Sequence, residues 1–106
     1  MSCIRGMNDF KKKMEAAEGK VVVLDFYANW CQPCKDMEKA VKAMALKYSS
    51  KAVVLKINVD KFDDLTEQYK ITHMPTYIFQ RGTKRLDRYT GNDEKKLMKI
   101  MAKLIK

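Results

Sequence analysis

Seven consecutive residues, Val21-Val22-Val23-Leu24-Asp25-Phe26-Tyr27, are apolar or aromatic with one exception. A strand with one wet face alternates apolar and polar residues. This run does not, so it predicts a central strand buried on both faces of a sheet. A second run at residues 52–59 has the same character, broken by Lys56 as the first is broken by Asp25. A buried charge is costly unless it is paired or neutralised. Two opposite charges interrupting two buried strands are most simply read as partners. The first strand runs into Trp30-Cys31-Gln32-Pro33-Cys34, and a helix-forming stretch runs out of it. A thiol at a helix N-terminus sees the positive end of the helix dipole, which favours thiolate. A second thiol three residues on lies one turn away, placed to attack a mixed disulfide formed by the first. A zinc site is the rival reading of a Cys-x-x-Cys pair.

The rest of the chain supplies the frame. Residues 2–6 read as a short strand. Asn8 or Asp9 caps a helix over 9–17 with Phe10, Met14 and Ala17 on one face. A helix over 33–48 follows the dithiol, with Pro33 tolerated in its first turn. Met37, Val41, Met44, Ala45 and Tyr48 recur along it at helical spacing. Asp60 caps a short acidic helix near 62–69. Residues 77–79 and 85–89 form strands around a turn at Arg81-Gly82-Thr83. Gly91-Asn92-Asp93 caps a last helix striped by Leu97, Ile100, Met101, Leu104 and Ile105. The order β-α-β-α-β-α-β-β-α predicts parallel pairing early and an antiparallel hairpin at the end. The chain is therefore expected to be α/β: one domain over residues 1–106, with a mixed sheet and helices on both faces.

Composition excludes several classes. Of 106 residues, 46% are hydrophobic and 33% charged, and no apolar run approaches the ~20 residues of a membrane span. The N-terminus lacks the basic-then-apolar pattern of a signal peptide, so the expected setting is cytoplasm or nucleus, where thiols are kept reduced. Three cysteines do not make a structural disulfide framework. Zinc needs about four ligands, and only Cys3, Cys31, Cys34 and His73 are available, so no metal is expected. The net charge of +9 favours polyanions or acidic partners. No nucleic-acid motif accompanies it, so that attraction is expected to be nonspecific.

Taken in order, Val23-Leu24-Asp25-Phe26-Tyr27-Ala28, Trp30-Cys31-Gln32-Pro33-Cys34-Lys35, Lys56-Ile57-Asn58-Val59-Asp60, Met74-Pro75-Thr76, Gly82 and Gly91 resemble the thioredoxin family along essentially the whole chain. Within it the chain is most similar to the animal cytosolic type. Residues 48–56 and the basic balance are similar to the germline thioredoxins of flies. The resemblance implies a thioredoxin fold, with a five-stranded sheet in the order 1-3-2-4-5 flanked by four helices. It implies a protein-disulfide reductase with no bound cofactor, cycling a Cys31–Cys34 disulfide. Electrons would come from NADPH through a thioredoxin reductase. Partners would be that reductase and disulfide-containing proteins, met by a monomer.

Roles follow on matching positions. Cys31 is the nucleophile and the expected exposed sulfur, and Cys34 resolves. Asp25 transfers the proton, its carboxyl pushed up by burial, and Lys56 tunes it. Trp30, Gln32, Pro33, His73, Met74, Pro75 and Gly91 form the substrate side. Pro75 is expected to be cis, so that Met74 offers its N–H and C=O to an extended substrate. Two departures stand out: Gln32 replaces the usual Gly, and His73 replaces a cysteine that vertebrate cytosolic members carry. Cys3 is read as a small packed strand residue. The alternative, a redox-inactive binding module on the same fold, leaves both cysteines unexplained.

Overall fold

The computed structural model describes residues 1–106. In chain order its elements are β1 (Ser2–Cys3), α1 (Met7–Ala16), β2 (Val21–Tyr27), α2 (Gln32–Lys47), β3 (Ala52–Asn58), α3 (Asp63–Gln68), β4 (Thr76–Arg81), β5 (Lys84–Thr90) and α4 (Glu94–Ile105). The strands form one sheet in the order β1-β3-β2-β4-β5, as expected for the thioredoxin fold. The unalternating run is the central strand. It pairs in parallel with β3 and antiparallel with β4. The β4–β5 hairpin turns in two residues. Gly82, with φ +59°, supplies the left-handed first position that a type II′ turn needs.

Alternate residues of β2 enter two separate cores. Val22, Leu24 and Phe26 pack with Leu65 and Tyr69 of the α3 region and with Phe10 and Met14 of α1. Val21 and Val23 pack on the other face with Met37, Val41 and Met44 of α2 and Leu97 and Met101 of α4. A strand filled on both faces has no position for a polar residue, which is why the run does not alternate. Asp25 is the exception, and it lies on the α2 side at the strand's C-terminal end.

Two caps differ from expectation. Helix α1 begins at Met7 behind Gly6, and Asp9 reaches back to accept the Arg5 N–H at 2.9 Å and the Lys13 ammonium at 3.0 Å. Those bonds hold the Asp9 carboxyl below its ordinary value, the Arg5 N–H contributing most. Helix α3 begins behind Phe62 without a side-chain cap. Asp60 is engaged elsewhere: its own N–H donates to Asn58 Oδ1, and its carboxylate accepts from Trp30.

Candidate active site

Cys31 is the N-cap of α2, in extended backbone geometry, and Pro33 occupies the first turn. The Cys34 N–H donates to Cys31 Sγ at 3.2 Å, so the sulfur itself caps the helix. Cys31 and Cys34 are joined as a disulfide with their Cα atoms 5.3 Å apart. No acidic residue lies in that first turn, so nothing opposes the helix dipole at Cys31. Gln32 is exposed and donates its amide to Asp36 Oδ1 at 2.8 Å. The spacer side chain therefore runs back along the helix surface.

The exposures of the two cysteines are reversed from expectation. Cys31 is 5% exposed, whereas Cys34 is half-buried. Cys31 lines an open cleft of about 360 Å³ whose other walls are Trp30, Gln32, Pro33 and the loop of Thr72, His73 and Met74. Trp30 stands 68% exposed at the rim. Its Nε1–H donates to Asp60 Oδ2 at 2.9 Å, which fixes the indole. The Met74–Pro75 bond is cis. Neither the N–H nor the C=O of Met74 takes part in a hydrogen bond within the chain. The loop is held from outside the cleft. Thr76 Oγ1 donates to the His73 carbonyl at 2.6 Å, and the Gly91 N–H donates to the Pro75 carbonyl at 3.2 Å. Gly91 has φ +149°, and a Cβ there would meet Tyr89 Oη at 2.7 Å, so no larger residue fits this brace. His73 is exposed, with Nδ1 3.0 Å from Thr72 Oγ1.

Beneath Cys34 lies a second concavity of about 290 Å³, lined by Asp25, Tyr27, Lys35, Glu38, Lys56, Cys3 and the loop of Ala28 and Asn29. Asp25 is 5% exposed, and its carboxyl makes no hydrogen bond within the chain and opens to the cavity. Burial pushes its carboxyl up to about 7; Lys56 opposes the shift and Glu38 adds to it. Asp25 and Lys56 are direct cross-strand neighbours, but the contact ion pair expected from the sequence does not form. The Lys56 ammonium extends to Glu38 Oε1 at 3.8 Å and lies 4.5 Å from the centre of the Tyr27 ring. A long flexible ammonium gains more by reaching an exposed carboxylate than by being buried against a half-protonated acid. Lys56 therefore acts on Asp25 across a gap.

Tyr77, the neighbour of Asp25 on β4, has its phenol held well above the ordinary range by burial first and by Asp25 second. The sequence reading missed Glu38 and Tyr77. Glu38 was findable, because it lies one helical turn beyond Cys34. No group of three or more His, Cys, Asp and Glu side chains gathers in metal-binding geometry.

The thioredoxin family model matches residues 3–103. Thioredoxin-1 of Drosophila yakuba is 60% identical over 106 residues, covering 100% of this chain and 99% of that protein. The crystal structure of the germline-specific thioredoxin Deadhead (Thioredoxin-1) of Drosophila melanogaster superposes with a TM-score of 0.97 at 59% identity, covering 99% of this chain and 100% of that one. Fasciola hepatica thioredoxin superposes with a TM-score of 0.89 at 30% identity, covering 97% and 98% of the two chains. With this fold, and with Cys31 and Cys34 bonded across the first turn of α2, the chain belongs to the thioredoxin family and is a thiol–disulfide oxidoreductase.

Proposed function

We propose that the chain is a monomeric protein-disulfide reductase of the cytoplasm or nucleus, recharged by a thioredoxin reductase with electrons from NADPH. The observation that carries this reading is the placement of one dithiol between an open peptide-sized cleft and a cavity holding a buried carboxyl. The Cys31 thiolate attacks a sulfur of the target disulfide, forming a mixed disulfide and releasing the other target sulfur as thiolate. Asp25 takes the Cys34 proton through the cavity. The Cys34 thiolate then attacks Cys31, closing the Cys31–Cys34 bond and expelling the second target thiolate. Two electrons pass from the dithiol to the target. The Met74 backbone groups are free to pair with an extended target segment, and Trp30 supplies an apolar wall.

The surface favours particular targets. Lys35, Lys39, Lys42 and Lys47 on α2 and Lys95, Lys96, Lys99 and Lys103 on α4 are all exposed, and both helices cover the same face of the sheet. The acidic residues Asp63, Asp64 and Glu67 of α3 lie on the other, beside Lys11 and Lys12 of α1. The excess of lysines over Asp36, Glu38 and Glu94 on the α2–α4 face supports steering toward acidic or nucleic-acid-associated disulfide proteins. The likeness to a thioredoxin described as germline-specific supports a germline setting.

The test is capture with Cys34→Ser, which removes the resolving thiol. Target proteins are expected to accumulate on Cys31 and to be released by excess dithiol. Full insulin-reducing turnover by that variant would refute the cycle. Steering is checked by the rate toward an acidic disulfide protein. That rate is expected to fall between low and physiological salt, and a flat rate would remove steering from the reading.

A further inference from the structure

The cavity beneath Cys34 is lined by two carboxyls, the buried Asp25 and the exposed Glu38. Glu38 follows Cys34 by four residues in α2, so the two side chains leave the same face of the helix. Helix α2 is otherwise basic, and its one other acid, Asp36, is bonded to Gln32. The chain carries 22 Lys and Arg against 13 Asp and Glu, yet only two ion pairs form. Lys13 and Asp9 pair within α1. Lys56 and Glu38 make the one pair that joins two elements, and both residues line the cavity.

Lys56 has two places to put its ammonium. It is in register with Asp25 on the adjacent parallel strand, ~4.8 Å away, within reach of a four-carbon stem. The place it takes is instead 3.8 Å from Glu38 Oε1 and 4.5 Å from the centre of the Tyr27 ring. An exposed ion pair adds little to folding stability, and a cation over a ring adds little more. Choosing between two orientations of one side chain requires no more than that. Without Glu38, Asp25 is the only carboxyl left in the cavity for that ammonium.

The other groups around Asp25 do not compete with this choice. From β1 comes Cys3, exposed at the end of the strand rather than packed as expected. From β2 itself comes Tyr27, and from β4 comes Tyr77, stacked on Tyr89 of β5. Burial holds the Tyr27 and Tyr77 phenols above their ordinary range, so both stay neutral. From α2 come Cys34, Glu38 and the exposed Lys35. Helix α4 buries only Leu97 and Met101. The charges that act on Asp25 are those of Lys56 and Glu38, and they act in opposite directions.

We propose that Glu38 is a positioning residue for resolution: it holds the Lys56 ammonium over the Tyr27 ring and off Asp25, and thereby sets the pH at which Asp25 takes the Cys34 proton. In that step the proton leaves Cys34 Sγ for an Asp25 carboxylate oxygen, giving a thiolate and a neutral acid. An ammonium placed on Asp25 would favour its charged form. The base would then appear at lower pH and be a weaker proton acceptor. The effect on resolution rests on the proposed reductase cycle, whereas the placement of the ammonium does not.

The experiment has two arms, both on the full chain with Glu38→Gln, which removes the charge of an exposed side chain and keeps its shape. The first follows the Asp25 carboxyl carbon by NMR across pH in the Cys31–Cys34 disulfide form, which needs no turnover. The midpoint is expected to fall by about one pH unit in Glu38→Gln. Glu38→Asp, which keeps the charge on a shorter stem, is expected to recover part of the shift. In a Lys56→Met background the same Glu38→Gln change is expected to move the midpoint much less, because the cation it releases is gone. An unmoved midpoint, or an equal shift in both backgrounds, overturns the positioning.

The second arm follows resolution of a mixed disulfide by stopped flow across the same pH range. The inflection is expected about one pH unit lower in Glu38→Gln, with the high-pH plateau reduced about threefold by the weaker base. Glu38→Asp is expected to restore part of both. An inflection that stays in place while the carboxyl midpoint moves overturns the link to resolution and removes Asp25 from the cycle. An unmoved carboxyl midpoint overturns the role of Glu38 and leaves the cycle intact.

Discussion

On one side of the Cys31–Cys34 bond lies a cleft walled by Trp30, His73 and Met74; on the other lies a cavity walled by Asp25, Glu38 and Lys56. The cleft has an exposed indole at its rim and unpaired backbone groups on Met74. The cavity holds ionisable side chains around a carboxyl that burial keeps half-protonated near neutrality. The first is suited to hold a peptide and the second to hold a proton. One helical turn separates them, and each sulfur faces one of them. The nucleophile needs recognition around it, and the resolving thiol needs a base. Placing the two cysteines at the cap and third residue of one helix meets both requirements with one local structure.

The largest expected effect comes from removing the base. Asp25→Asn is expected to slow resolution of the mixed disulfide by about 10²-fold at pH 7 while sparing the first attack by Cys31. In the unmodified chain, resolution rises as pH passes through about 7, where the Asp25 carboxylate forms. The variant is expected to lose that inflection. Stability moves in the opposite direction. Asp25 titrates near 3.8 when exposed and near 7 when folded, so the native state binds the extra proton in between. Folding stability is therefore highest below about pH 4 on this account, and is lost as pH rises through 7. Asp25→Asn is expected to be more stable than the parent at pH 8, by on the order of 4 kcal/mol, and to show little difference at pH 4. Stopped-flow resolution and urea denaturation at the two pH values check both. An unchanged resolution rate would leave the cavity without its proton role.

A smaller effect is expected from the cleft. Trp30→Ala removes an exposed aromatic wall and its bond to Asp60. The KM for a protein disulfide is expected to rise about tenfold, the value of one good aromatic contact. The rate toward a small synthetic disulfide is expected to stay unchanged, and so is the pH profile of resolution. Steady-state kinetics with insulin and with a low-molecular-weight disulfide separate the two. Asp60→Ala, which only frees the indole to turn, is expected to give a smaller rise. A shifted pH profile in Trp30→Ala would mean that the two concavities are not separate.

The parts that local pattern controls were readable in the sequence. The unalternating run at Val21 to Tyr27 named the central strand, because burial on both faces leaves its mark directly on composition. The redox pair and its helix were visible because spacing and dipole are both local. Distant geometry was not. The cleft beside Cys31 depends on where the Thr72–Met74 loop falls, some forty residues away in the chain. The Asp25–Lys56 relation was half legible. Register made them neighbours, but the choice of Glu38 by the ammonium depends on a side chain reaching down from α2. Cys3 looked like packing because a strand of two residues carries no pattern that reveals which face is covered.

The finest test of the separation between the two concavities is the spacer. Gln32 is the first residue of α2, exposed, and bonded through its amide to Asp36 one turn on. Such a pair is worth ~0.2–0.5 kcal/mol on an exposed helix. Gln32→Ala removes only the pair. Gln32→Gly also gives the backbone freedom that the helix must remove, ~1 kcal/mol in a helix interior and less at its first position. Thermal or urea unfolding is therefore expected to rank the parent above Gln32→Ala and that above Gln32→Gly, with a total span of about 1 kcal/mol. Gln32 lines the cleft and is absent from the cavity. Its replacement is expected to change the first attack on a protein disulfide by a few-fold at most and to leave the pH dependence of resolution where it was. A change of that pH dependence in either variant would show that the spacer reaches Asp25 through the helix, and that cleft and cavity are one site.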